Sequence, residues 1–257
     1  MASVTVVMPA YNASRTIEES VQSVIDQLFE DWELLIIDDH SSDNTADIAR
    51  LFASKDDRIA VHRNRRNMGA GFSRKRGIDL ADSPWVAFLD ADDLWTNDKL
   101  TKQLAFMEKN NAQLSYTASA FITSTGEPYD YILPVVFKTT LNDLLERNLM
   151  SCSSVIAARE LVLHRPFPMK NTVHEDYVLW LRVLKEIDCA FGLNEPLLKY
   201  RISPDSKSAN RMKSALMTYN AYRELGISAS TAAGYTLRYA KHSIKKRKLI
   251  TGGKPAF

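Results

Sequence analysis

Two groups of carboxylates, Asp38-Asp39 and Asp90-Ala91-Asp92-Asp93, are the residues in this sequence best suited to chemistry. Carboxylates crowded into one place repel each other unless a cation neutralises them. Hard oxygen ligands suit Mg2+ or Mn2+, which keep several waters and bridge to phosphates. The ligand they point to is a metal-bound diphosphate. The same residue types also cap helices and solvate loops, so the reading depends on whether the fold brings them together. A third acidic pair, Glu175-Asp176, follows His174. It is not a zinc helix, because Val178 stands where a second histidine would be needed. Acids opening a helix are also favourable with its dipole alone. Gly69 and Gly71 lack a third glycine at position 74, which removes a dinucleotide-binding fingerprint.

The elements that would position these acids alternate. Val4 to Met8, Glu33 to Ile37, Arg58 to His62 and Trp85 to Leu89 are apolar runs expected of strands buried on both faces. Pro9 is expected to stop the first strand, since it cannot donate to a ladder. Helical patterns follow each strand: Ser14 to Gln27, with Ile17, Val21, Val24 and Leu28 on one stripe; a helix capped by Ser41, Ser42 and Asp43 and running to Leu51; Gly69 to Ala81; and Asn97 to Lys109. This order predicts an α/β fold with a doubly wound, mostly parallel sheet. Ligands bind such sheets beyond the carboxyl ends of the strands, where Asp38-Asp39 and Asp90 to Asp93 fall. Beyond Asn110, strands are expected at Leu114 to Ile122 and Tyr131 to Val136. Helices are expected at Glu175 to Lys185, Lys207 to Leu225 and Ser230 to Leu249.

The chain has 257 residues with a net charge of +2, so it is no nucleic-acid binder by overall charge. No recognition module accompanies the basic residues near its end. From Arg238 onward it carries Lys241, Lys245, Lys246, Arg247, Lys248 and Lys254 without an acid. Such a helix either lies on an anionic bilayer or forms a solvated basic face. Cys152 and Cys189 fit no ligand spacing and read as reduced thiols. The amino terminus reads as a strand instead of a signal peptide, and no apolar run approaches a membrane span. The expected location is cytoplasmic, with peripheral contact to the inner face of the membrane.

Four stretches in order carry a resemblance: Met8-Pro9-Ala10-Tyr11-Asn12, Ile37-Asp38-Asp39-His40-Ser41-Ser42-Asp43, Phe88-Leu89-Asp90-Ala91-Asp92-Asp93 and His174-Glu175-Asp176-Tyr177. Together they resemble the family 2 glycosyltransferases with the GT-A fold. The resemblance implies a glycosyltransferase domain over residues 1–205, nucleotide-binding in 1–110 and acceptor-binding in 111–205. A helical basic extension over 206–257 follows. It also implies roles. Pro9, Tyr11 and Asn12 pack on the nucleobase, and Asp39 accepts from its N3–H, which favours uridine. Asn67, Gly69 and Arg74 lead into the third helix at the base or phosphates, although the family's Ala-Arg-Asn reads Ser73-Arg74-Lys75 here. Asp90-Ala91-Asp92 is the metal motif: Asp92 binds Mn2+ or Mg2+, Asp90 reaches the ribose or a metal-bound water, and Asp93 supports the loop or faces the acceptor. Asp176 is the general base, with Glu175 and Trp180 in acceptor or supporting positions. Arg201 contacts phosphate, ahead of a closing segment with Ser206 and Ser208. The implied activity is inverting transfer of a hexose or N-acetylhexosamine from a UDP-sugar. The acceptor is a saccharide, lipid-linked if the tail seeks membrane, as in assembly of O-antigen, lipopolysaccharide core or capsule. The competing readings are a nucleotidyltransferase, which lacks its glycine-rich phosphate loop here, and an inactive nucleotide-sugar-binding module.

Overall fold

The computed structural model describes residues 2–165, 167–168, 172–202 and 211–252. Its first half alternates: β1 (Val4–Ala10), α1 (Ile17–Ile25), β2 (Trp32–Asp38), α2 (Thr45–Ala53), β3 (Ile59–Arg63), α3 (Ala70–Leu80) and β4 (Trp85–Phe88). The second half is mixed: β5 (Leu94–Trp95), α4 (Lys99–Lys109), β6 (Leu114–Ile122), β7 (Pro128–Leu133), β8 (Lys138–Thr139) and α5 (Leu141–Glu146) come first. A 3-10 turn over Cys152–Ser154, β9 (Ile156–Ala158), α6 (Arg159–Leu163), α7 (Glu175–Val183), β10 (Ala190–Arg201), α8 (Arg211–Glu224) and α9 (Ala229–Gly252) complete it.

The sheet runs β3-β2-β1-β4-β9-β6-β10-β5, with β7 beside β6 and β8 beside β10. The pairs β1–β2, β1–β4, β2–β3 and β6–β10 are parallel. β9 enters antiparallel between β4 and β6 and joins the halves. The parallel strands therefore end together on one edge. β1 divides the core: Val4, Val6, Met8 and Ala10 pack on one sheet face, while Val7 packs on the other. Gly77 lets α3 lie directly on β1, because a Cβ there would meet Val7 Cγ1 at 2.4 Å.

Three expectations change. β1 continues through Pro9, which is paired in register with Ile37. Val7 accepts from Leu89 and Ala10 accepts from Asp39, so alternation turns the missing Pro9 N–H towards β4. β4 stops at Phe88, opposite Val7, and needs no donor there. Leu28 lies past the end of α1 and is 65% exposed. Its N–H donates to the Asn97 carbonyl instead of continuing a helix. The strand expected at Tyr131 to Val136 spans Pro128–Leu133.

α8 and α9 pack on the body of the protein, with Ala221, Tyr222 and Ala232 in the core beside α5 and α7. The Tyr177 and Tyr222 hydroxyls donate to the Leu144 and Leu145 carbonyls, both at 2.7 Å. They satisfy carbonyls that the end of α5 leaves without helical partners. Gly226, at φ +79°, makes the turn between the last two helices. The start of α8 expected at Lys207 lies outside the described residues, as do Ser206 and Ser208.

Candidate active site

The carboxyl edge of the sheet collects the acids, and local hydrogen bonds fix each one. After β1, Asn12 adopts a left-handed φ of 49° that asparagine tolerates. Its N–H donates to Ser41 Oγ at 3.0 Å, and its Oδ1 accepts from the Ser42 N–H at 2.9 Å. The turns after β1 and β2 are thus tied together. Tyr11 projects from this knot and is 52% exposed, which leaves its ring face open to a base.

Asp38 is buried and shapes its own turn, accepting from the Ser41 N–H at 3.1 Å. Arg63 Nε lies 3.1 Å from its carboxylate. Asp39 faces the start of α3. It accepts from Asn64 Nδ2 at 2.7 Å, from the Met68 N–H at 2.8 Å and from the Gly69 N–H at 2.7 Å. Gly69 sits at φ 88°, which aims that N–H. Three donors leave about one of the carboxylate's roughly four lone-pair positions for a base N–H. Asn67 beside it is exposed.

The Asp90–Asp93 loop is held by Thr16, Ser153 and Arg201. Thr16 Oγ1 donates to the Ala91 carbonyl at 2.8 Å. The Asp90 N–H donates to Ser153 Oγ at 3.1 Å, and Ser153 Oγ donates to Asp93 at 2.5 Å. The Arg201 N–H donates to Asp93 at 2.9 Å, while Arg201 Nε donates to the Asp92 carbonyl at 2.8 Å. Asp90, Asp92 and Asp93 can offer oxygens all within 4.8 Å of one another. Asp93 is buried with its oxygens bound, so it supports the loop and does not face an acceptor. Asp92 is solvent-exposed as a residue, and no neighbouring side chain donates to it among the described residues. Burial of its carboxyl in the loop, then the Asp90 charge, pushes Asp92 up to about 6. Asp92 and the unbound oxygen of Asp90 fit a hard divalent cation, which would relieve that repulsion.

Two cations expected at the ligand are used inside the protein. Arg201, expected at phosphate, is buried; besides holding the loop it pairs with Glu19 Oε2 at 2.6 Å. Arg74, expected at base or phosphate, binds Asp90 at 2.6 Å and Glu175 at 2.8 Å. It bridges the Asp90 loop to the start of α7, although its Nε stays buried without a partner. Gly71 permits this closeness, since a Cβ there would come within 3.2 Å of Glu175 Cβ. Asp176, the first-turn neighbour of Glu175, is raised above the ordinary carboxylate range by burial and then by the Glu175 charge. Trp180 is fully buried, edge-on to Phe88 at 5.5 Å between ring centroids. It supports β4 from below and is no acceptor surface.

Ser153, Thr16 and Glu19 carry no motif signal. Neither does Lys99, fully buried with Nζ 2.7 Å from Gln103 Oε1 and 4.1 Å from the Trp95 ring centroid. Burial drives its amine well below the usual lysine range. Trp95 Nε1 and Gln103 Nε2 donate in turn to the Ser153 and Ser154 carbonyls, at 2.7 and 3.0 Å. The 3-10 turn under the Asp90 loop is anchored this way. Two clefts of about 360 and 260 Å3 lie around Leu184–Phe191, at the start of β10, and include none of these acids.

Comparisons with known proteins identify the family and the fold. The family model for glycosyl transferase family 2 matches residues 5–164. TuaG of Bacillus subtilis, named for teichuronic acid biosynthesis, is 37% identical over 95% of this chain and 97% of its own. The Escherichia coli UDP-Glc:alpha-D-GlcNAc-diphosphoundecaprenol beta-1,3-glucosyltransferase WfgD is 34% identical over 95% of this chain and 94% of its own. Among solved structures, Staphylococcus aureus TarS 1-349 with UDP-GlcNAc superposes with a TM-score of 0.72 at 17% identity, covering 91% of this chain and 70% of TarS 1-349. The Pyrobaculum calidifontis mannosyltransferase PcManGT with GDP-Man and Mn2+ gives 0.68 at 15% identity, covering 95% and 75%. The chain therefore has the GT-A fold and belongs to glycosyl transferase family 2.

Proposed function

We propose that the chain is an inverting glycosyltransferase moving a hexose or N-acetylhexosamine from a UDP-sugar onto a lipid-linked saccharide. The setting is assembly of a bacterial surface polysaccharide. The observation that carries this reading is the convergence of Tyr11, Asp39, Asp90, Asp92 and Asp176 on one sheet edge from β1, β2, β4 and α7. Tyr11 stacks on the base, and the spare acceptor position of Asp39 meets an N3–H that uracil has and cytosine lacks. Asp92 and Asp90 would hold Mn2+ or Mg2+, and such a cation would supply positive charge opposite the departing diphosphate. Asp176 takes the proton of the acceptor hydroxyl as that hydroxyl attacks opposite the leaving group, inverting the anomeric carbon. Its raised affinity for protons suits a base near neutral pH.

The names of relatives support the substrates: WfgD pairs UDP-Glc with a GlcNAc-diphosphoundecaprenol. No described helix is long and apolar enough to cross a membrane. α9 offers peripheral contact to the inner face instead. Leu237, Lys241, Ile244 and Lys248 recur at helical spacing on one exposed stripe, with Leu237 73% and Ile244 42% exposed. The test is release of nucleoside diphosphate from a panel of nucleotide sugars with Mn2+. UDP release from one UDP-sugar, abolished by EDTA and by Asp92→Ala, is expected. Turnover indifferent to both would sink the role of the acidic edge.

A further inference from the structure

The opposite face of α9 carries a cation that the reaction outlined above does not use. The Lys246 ammonium sits 5.7 Å from the centre of the Phe121 ring. Phe121 is the penultimate residue of β6, stacked on Tyr131 at 6.0 Å and edge-on to Tyr200 at 5.9 Å. β6 and β10 are parallel, with Phe121 beside Tyr200 and Ile122 beside Arg201, so both end at the acidic edge. Tyr200 registers that edge: burial, then the charges of Asp93, Asp92, Asp90 and Asp176, push its phenol well up. Seven residues before Lys246, Tyr239 lies 5.8 Å from the Tyr177 ring and is raised by burial and the Asp176 charge. Seven helical residues rise about 10.5 Å. α9 therefore runs from beside the general base to the ends of β6 and β10.

Lys246 has no carboxylate partner among the described residues. Burial lowers it to about 8. A cation partly withdrawn from water without a counter-charge is held at a cost, and an anion would remove that cost. The chain has no acid after Glu224 to supply one. Resting on the reading above, we propose that Lys246 binds the diphosphate through which the acceptor saccharide is joined to its lipid. With the accepting hydroxyl at Asp176, the diphosphate lies one sugar ring further on, in the direction Lys246 lies from Tyr239. The lipid then leaves towards the outer stripe of α9, where Leu237 and Ile244 face out. The donor's diphosphate is assigned to the cation that Asp90 and Asp92 would hold, which leaves Lys246 for the diphosphate of the acceptor.

The test uses the full chain, α-GlcNAc diphosphoryl-lipid with a short chain, and the same α-GlcNAc on an uncharged alkyl chain. Binding is measured by calorimetry and transfer by kcat/KM, for wild type, Lys246→Met and Lys246→Arg, with melting curves to confirm folding. Wild type should prefer the diphosphate acceptor, and Lys246→Met should cut that preference about 10- to 100-fold, with Lys246→Arg restoring most of it. An equal loss on both acceptors makes Lys246 merely structural and overturns the proposal. So does a loss confined to donor KM or to inhibition by UDP, which would assign the lysine to the donor. No change overturns it too. If binding discriminates as expected while no UDP-sugar is turned over, the proposed reaction fails and the Lys246 assignment stands.

Discussion

Replacing Ser153 by alanine should damage the Asp90–Asp93 loop in a measurable and specific way. One hydroxyl joins the two ends of that loop, accepting from the Asp90 N–H at 3.1 Å and donating to Asp93 at 2.5 Å. Both Ser153 and Asp93 are 1% exposed, so water cannot take its place without rearrangement. Losing the hydrogen bond to the Asp93 carboxyl, which burial and the Asp92 and Asp90 charges push well above the ordinary carboxylate range, costs about 0.5–3 kcal/mol, and an orphaned buried N–H about 1–3 kcal/mol. Partial relaxation leaves a loss of about 3 kcal/mol, or roughly 6–12 °C in melting temperature for a chain of this size. Removing a partner that orients metal ligands also weakens metal binding about 10- to 100-fold. The assay is melting in EDTA and in Mn2+, with the Mn2+ dependence of turnover. Ser154→Ala is the control: its hydroxyl donates to the Ser151 carbonyl at 2.7 Å and does not touch the loop. It should lower stability without shifting the Mn2+ requirement. A Ser153→Ala protein that melts within 2 °C of wild type, about the least shift expected for a 1 kcal/mol loss, and needs no more Mn2+ would show that Ser153 does not hold the loop.

Four further outcomes follow from the same geometry. Asp176→Asn should lower kcat by about 10^2- to 10^4-fold, the contribution of a positioned base, with donor affinity retained; a variant with near-normal kcat would remove Asp176 from the chemistry. Asp92 is held at about 6, above its ordinary value of 3.8, so its ionised form is disfavoured in the fold above pH 6 and this penalty is relieved as pH falls from 6 to 4. Metal needs the ionised form, so Mn2+ should raise the melting temperature more at pH 7.5 than at pH 5, and equal shifts would contradict this. Gly77→Ala puts a methyl at 2.4 Å from Val7 and should cost about 1–3 kcal/mol by denaturant titration. Leu237→Glu with Ile244→Glu should abolish cosedimentation with anionic vesicles while leaving UDP-sugar binding intact; undiminished sedimentation would remove α9 from membrane contact.

The strands of the first half were readable because burial on both faces demands unbroken β-branched runs, and strand ends then located Asp39 and Asp90. Pro9 misled because the prohibition on proline applies only where a neighbour needs its N–H, and β4 ends before that point. β9 has three residues, too few for any period to show, yet it joins the halves of the sheet. The cations were misread for a common reason. A sequence shows that Arg74 and Arg201 lie near the site but not which way their guanidinium groups turn. The structure turns them inward, onto Asp90 and Glu175 and onto Asp92, Ser124 and Glu19. Ser153 and Lys99 are single polar residues whose importance arises only from contacts distant in the chain.

The product itself reports most directly on inverting transfer at the acidic edge. Wild type, Asp92→Ala and Asp176→Asn would be incubated with Mn2+, an α-linked UDP-sugar and α-GlcNAc diphosphoryl-lipid, and the new anomeric centre assigned by NMR. A β-linked disaccharide is expected from wild type alone. An α-linked product, or transfer that survives loss of both Asp92 and Asp176, would contradict inverting transfer at this edge.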